Sequence, residues 1–192
     1  APIEKLRAPI PDGEAGLQNF SPDERESILG AVVGAARNAG RLTPPADWPA
    51  IAAGLRSGAT PRTLALVQEL AALFGDTAAL DQVRATLAAA DLPVGERQAA
   101  LTLLIQAGDA GTAPVLQRML ADAAVPAGLR RQALQALASL KHPETPKVLA
   151  GLLPKLSANE LPDAVNTLAS TKQGAKALLK AVEAKTVPAT AL

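Results

Sequence analysis

The feature that most constrains this chain is an internal repeat long enough to hold two helices. Residues 97–120, RQAALTLLIQAGDAGTAPVLQRML, are followed by a related stretch at 131–153, RQALQALASLKHPETPKVLAGLL. Aligning the two Arg-Gln-Ala starts gives an offset of 34 residues, whereas aligning Leu116 with Leu149 gives 33, which indicates the loss of one residue in the intervening turn. A period in this range is typical of helical repeat proteins, in which each unit buries its apolar face against its neighbours.

Both copies have the pattern of two helices joined by a short turn. The first helix of the first copy carries one wide apolar stripe, formed by Ala100, Leu101, Leu103, Leu104, Ile105 and Ala107. A stripe of that width requires apolar neighbours on two sides. Gly108 follows the stripe and is expected to end the helix, because glycine tolerates the left-handed backbone of such turns. In the second copy, Leu137 and Leu152 are predicted to be buried between the two helices.

The composition favours an all-α fold. Hydrophobic residues make up 48% of the 192 residues but aromatic residues only 2%, so the core consists of leucine, valine, isoleucine and alanine, which suits packed helices better than strands. No apolar run approaches the roughly 20 residues that span a bilayer, so direct membrane insertion is not expected. Cysteine is absent, which excludes disulfides, thiolate zinc sites and cysteine-linked haem within these residues.

The formal charge is close to balanced but unevenly distributed. A net charge of +1 argues against nucleic acid as a partner of the whole chain. Residues 1–124 hold ten Lys or Arg against fourteen Asp or Glu, a net −4, and residues 125–192 hold nine against four, a net +5. Exposed charge of this kind usually serves solubility, so solvated helix faces are the simplest interpretation.

The chain is predicted to form one domain of helix pairs after a short lead-in. Residues 1–20, which contain several prolines and glycines, are expected to be extended or disordered. Ser21-Pro22-Asp23-Glu24 has the pattern of a capping box, and so do residues 157–160, so a helix is predicted at each. The predicted domain, 21–192, comprises an N-terminal capping pair at 21–57 and repeats at 60–91, 94–123, 127–156 and 157–185, with Trp48, Leu64 and Leu179 assigned to packed faces.

A search for chemistry yields no catalytic, cofactor-binding or metal-ligating residues. His142 is the only histidine, and its place before Pro143 at the head of a helix fits a turn residue or substitute N-cap better than a catalytic base. Lys172, Lys176 and Lys180 recur at four-residue spacing and are predicted to form an exposed ridge on the last helix. Two interpretations of this ridge stay open: a solvated face, or a docking surface for an acidic partner.

The clearest repeat resembles a HEAT-like repeat. Residues 131–153 combine an Arg-Gln-Ala-Leu-x-Ala-Leu first helix, a proline-containing turn and a Val-Leu-x-x-Leu-Leu second helix. Tetratricopeptide repeats have a similar period, but their Trp, Gly and Tyr signature positions are not filled here. The resemblance implies a right-handed α-α superhelix of about four to five helix pairs, of the HEAT-like or armadillo type.

A more particular resemblance covers most of the chain. The Trp48 helix, the Leu73-Phe74-Gly75-Asp76 turn, the HEAT-like centre and the closing stretch 177–188, ALLKAVEAKTVP, are together similar to the helical middle region of large exported bacterial membrane-bound dehydrogenase proteins of the planctomycete and verrucomicrobial type. In that family a β-propeller resembling sugar dehydrogenases precedes the helical region, and a c-type cytochrome domain follows it. The resemblance implies a periplasmic or otherwise exported protein, with the cytoplasm as the alternative, and haem c only in a downstream domain.

These observations lead to two main functional hypotheses. The first is a non-catalytic, monomeric spacer that holds the propeller and cytochrome domains of one polypeptide apart, with residues 186–192 poorly anchored until the next domain is attached. The alternative is a free-standing HEAT-like adaptor that binds a protein or peptide in its concave groove. A HEAT-like lyase or hydroxylase fits less well, because such hydroxylases bind iron through paired His-Glu motifs and this chain has one histidine.

Overall fold

The structure, a computed structural model, describes residues 20–39, 42–140 and 142–187. This part of the chain contains ten α-helices and two short 3-10 segments, and it contains no strand. The prediction of an all-α protein is therefore confirmed. The predicted lead-in lies almost entirely outside the described residues. Two compact units make up the chain, Ala1–Val83 and Arg84–Leu192.

The helices follow one another in pairs with short connections, and two of them fall within each of the five predicted segments. In chain order they are α1 (Pro22–Ala39), α2 (Trp48–Arg56), α3 (Pro61–Leu73), α4 (Thr77–Ala88), α5 (Val94–Gln106), α6 (Ala113–Ala121), α7 (Ala127–Leu140), α8 (Thr145–Leu152), α9 (Leu161–Ala169) and α10 (Lys172–Glu183). Gly75 and Gly108 both adopt positive φ, at 82° and 63°, and both follow the first helix of a pair. Gly108 therefore ends its helix as predicted.

In the first unit, α1 and α2 both pack against α3. The predicted capping box is present at the start of α1: Ser21 N donates to Glu24 Oε2 at 2.9 Å, and Glu24 N donates to Ser21 Oγ at 3.3 Å. The hydroxyl and then the amide of Ser21 lower the pKa of the Glu24 carboxyl. Trp48 is buried and meets the Phe74 ring edge-on, with centroids 4.8 Å apart. Its predicted role in packing is confirmed.

The apolar face of α3 differs from the prediction at its first turn. Leu64 was expected to point inward, but it is 44% exposed. Thr63 takes the buried position instead, and its hydroxyl lies 3.1 Å from Thr60 Oγ1. A polar side chain can be buried when a hydrogen-bonding partner is at hand, so the stripe begins one residue earlier and continues through Val67 and Leu70.

The second unit alternates its helices between two layers. Of the helices from α5 onward, α7 packs on α5 and α9, whereas α8 packs on α6 and α10. Contacts between the layers join α6 to α7, α8 to α9, and α9 to α10. Each interior helix is therefore covered on more than one side, which accounts for the wide apolar stripes in the sequence.

The two clear copies align at a constant offset of 33 residues. At this offset buried leucines coincide, pairing Leu101 with Leu134, Leu104 with Leu137, Leu116 with Leu149 and Leu120 with Leu153. Arg97 coincides with Arg130, and both are buried, whereas the 34-residue offset would match Arg97 to the exposed Arg131. The predicted loss of one residue in the turn is therefore wrong. The adjacent arginines at 130 and 131 offer two alignments, and only burial distinguishes them.

The two buried arginines connect α5 and α7 each to the end of the preceding helix. Arg97 Nε donates to the carbonyl of Leu87, in the last turn of α4, at 3.0 Å. Arg130 Nη1 donates to the carbonyl of Asp122, directly after α6, at 2.8 Å. Carbonyls at a helix C-terminus lack partners within the helix and carry partial negative charge, so a guanidinium satisfies and stabilises them.

Arg130 also forms a buried two-pronged ion pair with Glu160. Its Nε and Nη2 lie 2.5 Å from Glu160 Oε1 and 3.2 Å from Oε2. The Arg130 guanidinium, with added hydrogen bonds from Ser157, lowers the pKa of Glu160 to about 2.

The predicted helix start at Ser157 is wrong: residues 158–160 form a turn, and α9 begins at Leu161. Ser157 N donates to Glu160 Oε2 at 2.9 Å, as in a capping box. The same carboxylate also accepts hydrogen bonds from Arg130.

The last pair is joined by only Ser170 and Thr171. Thr171 Oγ1 accepts from Gly174 N at 3.0 Å and caps α10. Gly174 lies so close to α9 that a Cβ there would be 2.8 Å from the carbonyl carbon of Leu168.

Leu179, which was expected to pack inward, is 62% exposed. The buried stripe of α10 runs through Gly174, Leu178 and Ala181 instead, so Leu179 falls on the opposite flank.

The chain beyond α10 is held in place as far as the structure describes it. Lys185 has a positive φ of 56°, and Thr186 N and Oγ1 donate to the carbonyl of Ala181 at 3.0 and 2.7 Å. Val187 is buried. The expectation of a poorly anchored tail is therefore wrong for Thr186 and Val187, and residues 188–192 lie outside the described residues.

Candidate docking groove

An open groove of about 600 Å³ runs between α8 and α10 in the second unit. Its walls are the exposed face of α8 with the 3-10 segment Leu153–Lys155 that follows it, and the facing side of α10. The lining residues are Pro143, Pro146, Lys147, Ala150, Gly151, Pro154, Gln173, Lys176, Ala177, Lys180, Ala181 and Thr186. We call this surface the α8–α10 groove.

The groove exists because small residues occupy the facing sides of both helices. On α8 and its 3-10 extension, Lys147, Ala150, Gly151 and Pro154 share one face at helical spacing. On α10, Ala177 and Ala181 lie one turn apart between longer polar side chains. Alanine and glycine do not reach across to the partner helix, so the two helices pack while a channel stays open above the contact.

Three lysines rim this channel. Lys176 and Lys180 come from the predicted ridge on α10, and Lys147 comes from α8. All three are exposed, and none forms an ion pair within the described residues. The described lining contains no acidic side chain. The groove therefore combines a mainly apolar floor with a positively charged rim.

Lys172, the third residue of the predicted ridge, is exposed but lines a different pocket. This smaller cavity of about 200 Å³ lies between the end of α7 and the start of α10, and His142, Thr145, Thr167, Thr171 and Gln173 also line it. Pro143, Pro146 and Gln173 belong to both cavities, so the two are neighbours. Lys176 and Lys180 therefore share the groove with Lys147. Lys172 lies one turn before Lys176, nearer the start of α10.

His142 lies in the turn before α8, which is one of the two roles predicted for it, and the N-cap position itself is occupied by Glu144. His142 Nδ1 accepts a hydrogen bond from Glu144 N at 3.3 Å. Asp109, the residue 33 positions earlier, accepts from Gly111 N in the same way at 3.2 Å. The imidazole therefore replaces an aspartate in the repeating turn.

The replacement leaves a buried hydroxyl without a partner. In the first copy, Asp109 Oδ2 accepts from Thr112 Oγ1 at 2.8 Å and from Arg84 Nη1 at 2.5 Å. Thr145 is the counterpart of Thr112 and is also buried, but its Oγ1 has no hydrogen-bond partner among the described residues. One imidazole nitrogen cannot accept what two carboxylate oxygens accept.

The chemistry of the remaining described residues is sparse. Within residues 20–39, 42–140 and 142–187, no group of three or more His, Asp or Glu side chains is arranged to hold a metal ion. Glu160 is the acidic group whose pKa is most strongly displaced, and its carboxylate is occupied by Arg130 and Ser157. Its displacement therefore reflects a structural ion pair.

No single helix in the described part is both long and apolar enough to cross a bilayer; α3 and α4 satisfy that test only when taken together as a bent pair.

Sequence reasoning found two of the three rim lysines and missed Lys147. The informative patterns in the sequence are large apolar side chains at helical spacing and repeated charges, and Lys147 belongs to neither pattern. The signal that could have found it is the face of Lys147, Ala150, Gly151 and Pro154, where small residues recur at the spacing normally filled by leucine.

Comparison with protein-family models, with curated proteins and with solved structures finds no match to this chain.

Proposed function

We propose that this chain is a non-catalytic interaction module built as a HEAT-like, right-handed α-α superhelix. The observation that carries this proposal is the α8–α10 groove, a positively rimmed apolar channel on one layer of a repeating two-layer stack. The constant 33-residue register and the alternation of odd and even helices support the repeat architecture. Modules of this kind bind other polypeptides along the surface formed by equivalent helices.

The biological setting that we propose follows from the family resemblance of the sequence. In it the chain is a monomeric spacer within an exported redox polypeptide, positioned between a dehydrogenase-like propeller and a cytochrome c domain. Haem then belongs to the downstream domain, and no cofactor binds this segment. Its partners are neighbouring domains or another protein, with neither nucleic acid nor membrane insertion involved.

The second candidate is a free-standing adaptor, and the open groove favours it. A passive spacer has no need of a channel rimmed by three unpaired lysines, whereas a peptide-binding adaptor does. In both cases the groove faces a polypeptide, and the two candidates differ in whether that polypeptide belongs to the same chain.

The encoding reading frame distinguishes the two. A frame that begins with a signal peptide and a propeller and continues into a Cys-x-x-Cys-His motif supports the spacer. A frame confined to this helical region contradicts the spacer and leaves the adaptor.

A further inference from the structure

We propose that the α8–α10 groove binds a short, extended acidic segment of a polypeptide, with two carboxylates two residues apart facing Lys176 and Lys180. This inference rests on the proposed function and names the chemistry of the partner. It depends on three properties of the groove: its charge, its floor and its length.

Three lysines give the groove a positive charge. Lys176 and Lys180 lie one helical turn apart on α10, and like charges at that spacing repel each other. Lys147 adds a third positive charge from α8, and the described lining offers no carboxylate to offset them. An acidic ligand would relieve this repulsion and gain charge-assisted hydrogen bonds.

The floor of the groove selects for a peptide over other anions. Proline, alanine and glycine residues form it, and the described lining contains neither an aromatic residue nor an arginine. Nucleic-acid surfaces stack bases on aromatic rings and use arginine for phosphates. Surfaces that insert into membranes present large outward-facing apolar side chains. A small apolar channel instead accommodates the short aliphatic side chains of a polypeptide.

The length of the groove sets the size of the segment. Gln173 and Ala181 mark its two ends on α10, and a rise of about 1.5 Å per residue makes that stretch about 12 Å long. An extended peptide advances about 3.3 Å per residue, so roughly four residues fit. Lys176 and Lys180 are about 6 Å apart along the axis, which matches carboxylates at alternate positions of an extended chain.

Fluorescence anisotropy with the full 192-residue chain tests the proposal. The probe is a fluorescein-labelled nonapeptide with a central Glu-Val-Glu-Val sequence, and its comparison peptide has glutamine in place of each glutamate. We expect the Glu peptide to bind at least about 10-fold more tightly than the Gln peptide, and to weaken as salt is raised. Oligothymidylate and phosphatidylglycerol vesicles serve as alternative anionic probes.

Three variants locate the binding. The double change Lys176→Glu and Lys180→Glu should weaken the Glu peptide at least about 10-fold. The matched double change Arg56→Glu and Arg118→Glu alters the net charge equally at exposed positions outside the groove, and it should change binding less than about 2-fold. Gly151→Gln fills the groove without changing charge, because nothing lies within 4 Å of a Cβ at Gly151; it should weaken binding at least about 5-fold.

Circular dichroism confirms that each variant is folded, and Lys176→Gln with Lys180→Gln replaces the charge reversal if that variant unfolds. Equal binding of the Glu and Gln peptides, equal loss in the matched control, or an unaffected Gly151→Gln variant would overturn the proposal. Tighter, Lys176-dependent binding of oligothymidylate or vesicles would overturn it in favour of those ligands. The proposed interaction module is tested separately, by cross-linking from the groove to a polypeptide partner. If the Glu peptide does not bind, the acidic ligand is wrong, but the proposed interaction module is not thereby contradicted.

Discussion

At the residue scale, His142 is the point where the repeat departs most clearly from its own pattern. The preceding copy uses Asp109 to satisfy both a backbone amide and the buried hydroxyl of Thr112. With His142 in that place, the Thr145 hydroxyl is buried and has no hydrogen-bond partner in the part of the chain that the structure describes. An unsatisfied buried polar group typically costs about 1–3 kcal/mol, so we expect this turn to be less stable than its counterpart.

We predict that His142→Asp stabilises the protein by about 1 kcal/mol, because the new carboxylate can accept from both Glu144 N and Thr145 Oγ1. For a chain of this size that corresponds to a rise of about 2–4 °C in the thermal midpoint. The control is a double-mutant cycle with Thr145→Val, in which the gain should largely vanish. His142→Ala removes only one long hydrogen bond and should cost less than about 1 kcal/mol. A destabilising His142→Asp would contradict the assigned equivalence of the two turns.

Glu160 makes the stability of the second unit depend on acid. Its carboxyl has a pKa of about 2 in the folded protein, against 4.5 for the unperturbed group. A carboxyl with a lowered folded pKa contributes its full stabilisation above 4.5 and loses it as the pH falls toward 2. At about 1.4 kcal/mol per pKa unit, the contribution at neutral pH is on the order of 3 kcal/mol.

We therefore expect Glu160→Gln to lower the free energy of unfolding by about 3 kcal/mol at pH 7, and the difference from the parent to shrink between pH 4.5 and 2. Urea unfolding followed by circular dichroism at several pH values measures this difference. Glu183→Gln, at the exposed end of α10, is the matched control and should follow the parent throughout. A difference that stays constant with pH would mean that the ion pair is not the source.

At the scale of helices, the contact between α9 and α10 depends on one glycine. Gly174→Ala would drive a methyl group into the Leu168 carbonyl, and backbone on both sides leaves little room for adjustment. We expect a loss of about 3 kcal/mol, at the upper end of the usual overpacking range. Gly151→Ala is the control, since nothing lies near its Cβ, and it should gain up to about 1 kcal/mol of helix stability. If thermal melts of the two variants coincide, the close approach of α9 and α10 is not real.

The leucine positions of α7 and α8 test the register of the repeat. Leu137 and Leu152 are both buried, and truncating either to alanine should cost about 2–5 kcal/mol. Leu179→Ala is the matched control, because that side chain is largely exposed, and it should stay within about 0.5 kcal/mol of the parent. Chemical denaturation of the three variants would refute the register if Leu179→Ala proved the most damaging.

Local signals in the sequence were sufficient to predict several of these elements. The capping box at Ser21 and the glycine at 108 are governed by the bonds of nearby backbone, so their predicted roles hold. The burial of Leu64 and Leu179 depends on which flank of the helix a neighbouring helix covers. The pattern of apolar residues along one helix fixes the buried face only to within about one residue. The burial of Arg130 depends on its ion pair with Glu160, which is 30 residues away, and no short sequence pattern predicts such a pair.

At the scale of the whole molecule, the all-α class follows from composition and periodicity, because an aromatic-poor chain rich in leucine and alanine buries its surface most readily between helices. The groove could not be predicted in the same way. It is defined by side chains that are too small to fill a gap between α8 and α10, and a gap becomes apparent only when both helices are in place. Lys176 and Lys180 of α10 form a visible pattern in the sequence, but Lys147, which shares the groove with them, lies 29 residues before the first and 33 before the second.

The measurement that tests the central claim most directly is site-specific photo-cross-linking of the protein in its own cells. A benzoylphenylalanine residue replaces Gln173, an exposed residue at one end of the groove on α10, or Gln135, on an exposed face of α7 in the other layer. We predict cross-links from Gln173 to a defined polypeptide segment, identified by mass spectrometry, and few from Gln135. Cross-links from Gln135 alone, or equal and scattered products from both positions, would contradict the claim that this groove is where the module meets its partner.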